Sequence, residues 1–493
     1  MDKKVGKSNF VYFLFYRKNG DFFMLAFNKK IFSICIILLL LIFQLTAFAE
    51  PKLKEELIDI LNSYNNKEYK LGINNVKNSK KSIDELGFIL YDLVHKHEFE
   101  KIDAIINGYI SHQKHDKELV KYIYSEKAIS KKKYSDAIKL YNEILARKPN
   151  MLLVELKLAR ALLYVKHYES ALSLYQGVQN KYGDKISGKI AGYINRQIIN
   201  LKNKNHWQGT IKFGSSYDFN LNEASNSREI HCFHGKCMNS TNQSIAGGKW
   251  HYYIKSAKRF PLVGNHSGLL SLGAVGVEPM KTVTVRKMNI FVSGGYQYED
   301  ANAKVRIQPT VEAKWHDNQY YNLSLGGKIA TEYTLNHQVS FLGDIDYKNK
   351  TYPHEYSFND GDKWVYSIVG TYLINPRLIA FGGIHGANRE KQRNSDSYSQ
   401  YGVRVGFLKV TELCDLLVVL GYKQTNFKQF DTFLNVKRKD HNGYLNTQMT
   451  FDNNKVLSFT PSVYFNSQVN KSKADIIYSF KQSEVGVNFT KKF

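Results

Sequence analysis

Past residue 49 the chain has no apolar run of the roughly 20 residues that a membrane-spanning helix needs. If the remaining chain lies in a membrane it must do so as a closed barrel, because only helices and barrels satisfy every backbone group in lipid. Cysteine is scarce, four in 493 residues. One of them, Cys35, follows bulky Ile34 inside an apolar run, which excludes it as a lipidation site. Acidic residues are outnumbered 44 to 69, for a net charge of +25. That charge is spread along the chain, with no basic helix and no zinc-finger spacing, so no nucleic-acid partner is expected. A lysine-rich surface suits water, anionic lipid heads or acidic cargo. Also missing are a nucleophile elbow, a His-Glu-x-x-His pair, a phosphate loop and a dinucleotide fingerprint. Neither catalysis nor a cofactor is expected, and Gly273-Ala274-Val275-Gly276 reads as close packing within a strand.

What is present begins with a leader. Asn28-Lys29-Lys30 precedes an apolar run from Ile31 to Leu45, then Thr46-Ala47-Phe48-Ala49, a small-x-small cleavage site before Glu50. Met24 would start a signal peptide of about 26 residues, leaving residues 1–23 as a misread upstream start. Composition shifts again near residue 205, from Leu, Ile, Lys, Glu and Ala to Gly, Tyr, Phe, Ser, Thr and Asn. Three parts follow: a signal peptide over 1–49, with 24–49 its true extent, a helical-repeat domain over 50–204, and a β domain over 205–493.

In the helical part, Tyr134-Ser135-Asp136-Ala137-Ile138-Lys139-Leu140-Tyr141 recurs 34 residues on as Tyr168-Glu169-Ser170-Ala171-Leu172-Ser173-Leu174-Tyr175. This is the tetratricopeptide period. Ala137 and Ala171 let two helices approach, Tyr141 and Tyr175 fill the space between them, and Pro149 ends a unit. A degenerate unit is expected around Phe99, Ala104 and Tyr109, and capping helices within Leu57 to Leu93, because such repeats need neighbours to cover their apolar faces. The first helix of each pair lines the concave side. Leu119, Tyr122 and Glu126 of one unit and Leu153, Leu156, Arg160 and Tyr164 of the next would fall there. Tyr122, Glu126, Arg160 and Tyr164 are the candidate partner-binding residues, although Leu153 and Leu156 would serve equally as packing between repeats.

From Gln208 the period becomes two, the mark of strands with one apolar face. Ile211, Phe213, Tyr217 and Phe219 alternate with Thr210, Lys212, Gly214, Ser216 and Asp218; Val305, Ile307, Val311, Ala313 and Trp315 alternate with Lys304, Arg306, Gln308, Thr310, Glu312 and Lys314. The charged sets are too polar for lipid and would face a lumen, which makes Lys212, Lys304, Arg306, Lys314 and Arg404 the candidate lumen residues. A further strand is expected to pair Leu457, Phe459, Val463 and Phe465 against Ser458, Thr460 and Ser462. About fourteen strands can be drawn in this way, an even number that returns both ends to one side. Even-numbered connections read as tight (Asp300 to Asn302, Thr334 to Asn336, Ile374 to Pro376, Asp452 to Asn454) and several odd ones as long (Leu221 to Gly247, Asn349 to Gly361, Glu390 to Ser397, Gln468 to Lys481), as periplasmic turns and outer loops differ in outer-membrane barrels. The chain ends Glu484-Val485-Gly486-Val487-Asn488-Phe489-Thr490-Lys491-Lys492-Phe493; Val485, Val487, Phe489 and Phe493 share one face of a closing strand. With 34 Tyr and 29 Phe, the chain can supply the aromatic girdles such a wall requires. The fold class is therefore α + β multidomain, a periplasmic tetratricopeptide α-solenoid followed by a transmembrane antiparallel barrel.

Three cysteines lie beyond the leader. Cys232 and Cys237 fall in the first long loop, within His231-Cys232-Phe233-His234-Gly235-Lys236-Cys237, and Cys414 stands alone at a tight turn. An exposed loop in an oxidising compartment favours a Cys232–Cys237 disulfide; with His231 and His234 the same segment offers two thiolates and two imidazoles to zinc, at a spacing foreign to structural zinc sites.

Taken together, Tyr134, Ala137, Tyr141, Pro149, Tyr168, Ala171 and Tyr175, the Gly-Val-Asn-Phe to Phe493 ending and the order signal, repeats, barrel resemble the surface lipoprotein assembly modifier family. The resemblance implies an outer-membrane protein of a Gram-negative cell, with its repeats in the periplasm. It would pass a client, a surface lipoprotein or a soluble haem-scavenging or host-binding protein, to the cell surface. Outer-membrane lipids, the barrel assembly machinery and periplasmic chaperones would be its other partners. A polysaccharide exporter also joins repeats to a barrel, but with a longer array, and a nutrient porin has no use for the repeats.

Overall fold

The computed structural model describes residues 82–225, 243–280, 286–432 and 434–493, together with the backbone of two short hairpins, Phe15–Lys18 with Asp21–Met24 and Ile230–Phe233 with Lys236–Asn239. The leader, its cleavage site and the segment Leu57 to Lys81 lie outside the described residues.

Among the described residues the repeat region has seven α-helices: α1 Ile83–His95, α2 Phe99–Ile110, α3 Lys117–Ser130, α4 Tyr134–Arg147, α5 Leu152–Tyr164, α6 Tyr168–Tyr182 and α7 Gly188–Asn203. The first two pairs open on side-chain caps. Ser82 caps α1 in a reciprocal box with Glu85, and the Asp116 carboxylate accepts from the backbone N–H groups of Glu118 and Leu119 at the start of α3, so orphan donors are satisfied by side chains. Inside each pair the turn instead passes through one left-handed residue, His97 (φ 56°), Lys132 (φ 59°) or Lys166 (φ 63°). These recur at the repeat spacing, and the left-handed step returns the chain antiparallel within three residues.

Ala137, Tyr141, Ala171 and Tyr175 are all 0% exposed, the small residues admitting the neighbouring helix and the tyrosines filling the gap behind it. The first unit departs from the expected alignment. Its spacing to the next is 35 residues, so Ile102, fully buried, occupies the position of Ala137, while Ala104 is on the exposed side. The far end of the stack is covered by α7, whose Ile190, Tyr193, Ile194, Ile198 and Leu201 are buried; the Tyr175 and Tyr193 hydroxyls meet at 3.3 Å.

The strands are β1 Gln208–Asp218, β2 Gly247–Pro261, β3 His266–Pro279, β4 Lys287–Glu299, β5 Ala303–His316, β6 Gln319–Thr334, β7 Val339–Thr351, β8 Gly361–Asn375, β9 Leu378–Arg389, β10 Tyr398–Val410, β11 Asp415–Phe427, β12 Lys439–Thr450, β13 Thr460–Ser472 and β14 Phe480–Lys492. Each pairs antiparallel with the next, and β14 pairs with β1, so the sheet closes into a 14-stranded barrel with no free edge. At the seam the register runs from Glu484↔Asp218 to Lys492↔Thr210, and one further step is made by the Phe493 N–H to Gly209 O (3.0 Å) and the Gly209 N–H to Phe493 O (2.8 Å). A β-carbon at Gly209 would lie 2.3 Å from the Phe493 ring, so that position requires glycine. Phe213 and Phe489 stack across the seam with centroids 5.6 Å apart. Val485 and Val487 share the outward face with Phe489.

The outward face is apolar throughout its middle, with Val292, Val311, Leu325, Ile345, Ile368, Ile384, Val403 and Leu420 all exposed. Trp250, Trp364, Tyr401 and Tyr422 ring it towards the long loops; Tyr333, Phe341, Tyr372 and Phe407 ring it towards the short turns. An apolar band between two aromatic belts is the surface of a lipid-embedded barrel.

Asx turns make most tight connections: Asp300 accepts from the backbone N–H groups of Asn302 and Ala303, Asn336 from those of Gln338 and Val339, and Asn375 from that of Arg377. Two expectations need correction, and two connections were not foreseen individually. Leu457 and Ser458 do not belong to a strand; both have positive φ (50° and 69°), within a β12–β13 connection that spans 451–459 rather than a minimal turn. β13 runs on to Ser472, so the last long loop is shorter than Gln468 to Lys481 and contains a single helical turn, Asp475–Tyr478. The β5–β6 connection at the loop end is a two-residue turn through Asp317 and Asn318, both with positive φ. The β11–β12 connection over 428–438 is a long loop that alternation did not reveal.

Candidate functional site: the repeat groove and the barrel lumen

The concave side of the repeats carries a pocket of about 110 Å³ between α1, α3, α4 and α5, lined by His95, Tyr122, Glu126, Tyr141, Lys157, Arg160 and Tyr164 among others. Tyr122 and Glu126 are four apart on α3, and Lys157, Arg160 and Tyr164 follow at helical spacing on α5, so each helix offers one stripe to the same space. All four expected groove residues line it, but not in equivalent roles.

Glu126 is 4% exposed; it accepts a hydrogen bond from the Tyr141 hydroxyl and one from Lys157 Nζ at 2.8 Å. Tyr122 is also buried, and its hydroxyl has no partner among the described residues. These two form the floor of the groove. Arg160 and Tyr164 form its accessible wall: the Arg160 Nε–H donates to the Tyr164 hydroxyl at 3.1 Å, and Tyr134 stacks on Tyr164 with centroids 4.7 Å apart. Burial raises the pKa of the Tyr122 hydroxyl well above the ordinary phenol value, with the nearby Glu126 charge adding to the effect. Burial lowers the pKa of His95, and His97, Lys157 and Arg160 are the other basic side chains lining the pocket. Lys157 joins the four expected residues, and its place three residues before Arg160 on α5 is the sequence signal for it. Leu156 is buried between repeats whereas Leu153 lines the pocket, so the two leucines divide the packing and groove roles.

In the barrel the ladder register fixes which residues share a face. Lys304 pairs with Glu299 and Glu332, Arg306 with Gln297 and Ala330, Lys314 with Asn289 and Asn322, Arg404 with Gly383 and Gly421, and Lys212 with Tyr253 and Thr490. All five point inward. They do not form one site: Lys304 and Lys314 lie about 33 Å apart along β5 at 3.3 Å per residue, near opposite mouths. Lys314 pairs with Glu312 at 3.1 Å, Arg404 donates to Ser367 Oγ at 3.1 Å, and Lys212 shares a pocket of about 280 Å³ with His251, Gln448, Tyr464 and Asn488. The inner wall is not uniformly polar. Leu342, Val369, Phe381, Leu408, Leu417 and Val419 also face inward on β7 to β11, in the half nearest the short turns, and Leu342 is 43% exposed. Alternation missed this strip because Leu416 to Leu420 is apolar on both faces.

The repeats are seated on the barrel rim. Asn265, in the β2–β3 turn, donates from Nδ2 to the carbonyls of Val165 (2.6 Å) and Glu299 (2.5 Å), while its Oδ1 lies 2.7 Å from His167 Nε2. The Tyr168 hydroxyl donates to Glu299 (3.3 Å), and Arg259 donates to Asn205 (3.0 Å), itself bonded to Glu169 (2.9 Å). The Arg259 guanidinium and the Lys204 ammonium lie over the Tyr168 ring at 5.1 and 4.5 Å.

Backbone hairpin pairing sets Cys232 directly opposite Cys237, and Cys414 is a free thiol in the β10–β11 turn. The Gly273–Gly276 stretch is close packing: β-carbons there would strike the rings of Phe291 and Tyr252 at 2.5 and 2.3 Å.

A closed barrel with a lipid-facing apolar band, carrying a short helical-repeat array on the rim with the short turns, defines an outer-membrane β-barrel with an appended tetratricopeptide domain. Residues 207–493 match the family model described as surface lipoprotein assembly modifier, and residues 76–175 match that of the N-terminal repeats of the same proteins. The chain belongs to the surface lipoprotein assembly modifier family. It is 22% identical over 443 residues to the hemophilin secretion modulator of Acinetobacter baumannii, covering 86% of this chain and 89% of the relative. It is also 22% identical over 371 residues to surface lipoprotein assembly modifier 1 of Haemophilus influenzae, covering 73% and 74%. Among solved structures, the OccAB3 barrel of Acinetobacter baumannii superimposes with a TM-score of 0.34 at 8% identity, covering 58% of this chain and 99% of that one.

Proposed function

We propose that this protein delivers a client, a surface lipoprotein or a soluble haem-binding protein, across the outer membrane, its repeats receiving the client in the periplasm and its barrel organising the passage. The observation that carries this reading is the seating of the repeats on the barrel rim through Asn265, which joins the repeat groove to a membrane-spanning wall. The names of the relatives, one a secretion modulator and the other an assembly modifier, point to the same class of work. Within it, residues 50–204 form the receiving domain and 205–493 the barrel. Arg160 and Tyr164 are its partner contacts, since arginine and tyrosine anchors dominate such interfaces; Tyr122 and Glu126 shape the floor beneath them. The role is transport rather than catalysis. Periplasmic chaperones would present the client, and the barrel assembly machinery would insert the protein.

The test is display of the client on intact cells, read in parallel with its periplasmic accumulation. Deleting residues 52–202 should leave a folded barrel and abolish display. Arg160→Glu with Tyr164→Ala should reduce client capture, whereas changing Arg306, Lys314 and Arg404 should alter passage and leave capture intact. Unchanged display in cells lacking the whole protein would overturn the reading in favour of a porin.

A further inference from the structure

The inner wall near the long-loop mouth concentrates positive charge in a way that its own carboxylates do not balance. In the register, Lys350 of β7 stands opposite Ser324 of β6, Lys348 of β7 opposite Lys363 of β8, and Lys363 in turn opposite Arg389 of β9. Lys314 of β5 stands opposite Asn322, two residues along β6 from Ser324. Directly opposed side chains on an antiparallel ladder have β-carbons about 4.5–5.5 Å apart, and like charges placed there repel. A lysine facing a lysine that faces an arginine is thus an unfavourable arrangement for the empty wall.

Two carboxylates answer five cations. Glu312 pairs with Lys314 (3.1 Å) and Lys348 (2.6 Å), and Asp346 lies 3.5 Å from Lys348. Arg389 is buried and donates to the carbonyls of Asn359 and Gly361, fastening the 352–360 loop over the cluster. Lys350 and Lys363 have no hydrogen-bond or ion-pair partner among the described residues; both are half-buried, and Lys314 and Arg389 act electrostatically on each. Two ammonium groups, with no internal acceptor, are thus held on neighbouring strands under a loop. Rings of lysine and arginine in a low-dielectric wall are how pores select anions.

We propose that this cluster is an oxyanion site open to the outer mouth of the lumen, with Lys350 and Lys363 as its direct ligands and Lys314, Lys348 and Arg389 supplying the surrounding field. It takes carboxylates or phosphates, either as a free multivalent anion or as acidic side chains on a polypeptide in the lumen. The assignment stands apart from the translocation reading, because it concerns the empty barrel.

The test uses the purified full chain in uncharged detergent, with citrate as the free anion and polyglutamate as the chain-borne one. Lysine acylation followed by peptide mass spectrometry reads the site directly. Saturating ligand should slow modification of Lys350 and Lys363 at least fivefold while leaving Lys212 unchanged, and titration calorimetry should give an affinity that weakens with salt. The pair Lys350→Gln and Lys363→Gln should weaken binding tenfold or more; Lys350→Arg with Lys363→Arg should retain it, and heat-modifiable migration verifies the fold of each variant. Protection by citrate alone assigns a small-anion site, and protection by polyglutamate as well assigns one that also holds a chain. Absence of protection by both, or an unchanged affinity in the folded glutamine variant, overturns the proposal.

Discussion

Replacing Lys157 by methionine removes the cation from the floor of the repeat groove and leaves Glu126 with a hydroxyl partner but no counter-charge. Their side chains are 19% and 5% exposed, and the pair is held at 2.8 Å. A hydrogen bond to a charged group contributes about 1.5–3 kcal/mol, and stripping the partner from a fully buried charge costs about 3–5 kcal/mol. Glu126 keeps the Tyr141 hydroxyl and the Lys157 side chain is itself partly exposed, so the loss should fall near the low end, about 2 kcal/mol. Glu126→Gln is expected to behave differently. The amide oxygen still accepts from Tyr141, and the partly exposed ammonium can turn outward, which limits the cost to about 1 kcal/mol. Combining Lys157→Met with Glu126→Gln should recover about 1 kcal/mol relative to Lys157→Met alone, because the uncompensated charge is gone. Urea titration of the full chain in detergent, followed by the helical far-ultraviolet signal, isolates the repeats, since the described barrel contributes a single helical turn. Equal costs for the two single variants, or a double variant weaker than Lys157→Met, would show that the pair behaves as a surface ion pair and that the floor is wetter than its burial indicates.

Two further outcomes test the wall and the outer loop. Removal of Phe493 deletes the last backbone pair with Gly209 and the ring packed against it, so the barrel should fail to reach its heat-modifiable, protease-resistant form; normal migration of the truncated chain in membranes would show that closure does not need this residue. Backbone pairing sets Cys232 opposite Cys237, and with the expected disulfide between them thiol labelling of intact cells without reductant should leave both unmodified, whereas ready labelling of both refutes the disulfide.

The repeat units were readable because their constraint is steric. Ala137 and Ala171 sit where a larger side chain would separate the helices, and that requirement recurs wherever the packing does. The same logic failed at Ala104, because the spacing there is 35 residues, as from Phe99 to Tyr134, which puts the packing position on Ile102, two residues earlier and not a small side chain. Barrel strands were readable wherever lipid lay on one side and water on the other, as along Lys304 to Trp315. Legibility was lost where both faces are apolar, at Leu416 to Leu420, and where a loop resembles a strand, as at Leu457, since alternation cannot report a backbone in the left-handed region. The groove residues were placed on the correct helices, but exposure was beyond reach. Nothing in the local pattern says that Glu126 is buried on a tyrosine and a lysine from two other helices, because that depends on three helices meeting.

The attachment of the repeats has a mechanical consequence. They are joined to the barrel covalently by the four residues Lys204–Trp207, just before β1, and non-covalently at the β2–β3 turn and the end of β4. A single pivot would let the array swing freely, whereas two separated supports remove that rotation and set the azimuth of the groove around the pore. The supports occupy the sector of β1 to β5, and the apolar inner strip begins at β7. The rim beneath the repeats therefore has two sides that differ in chemistry, charged and braced on one side, greasy on the other. Where the array stands on the rim is thus set by the scaffold, independently of what lines the channel.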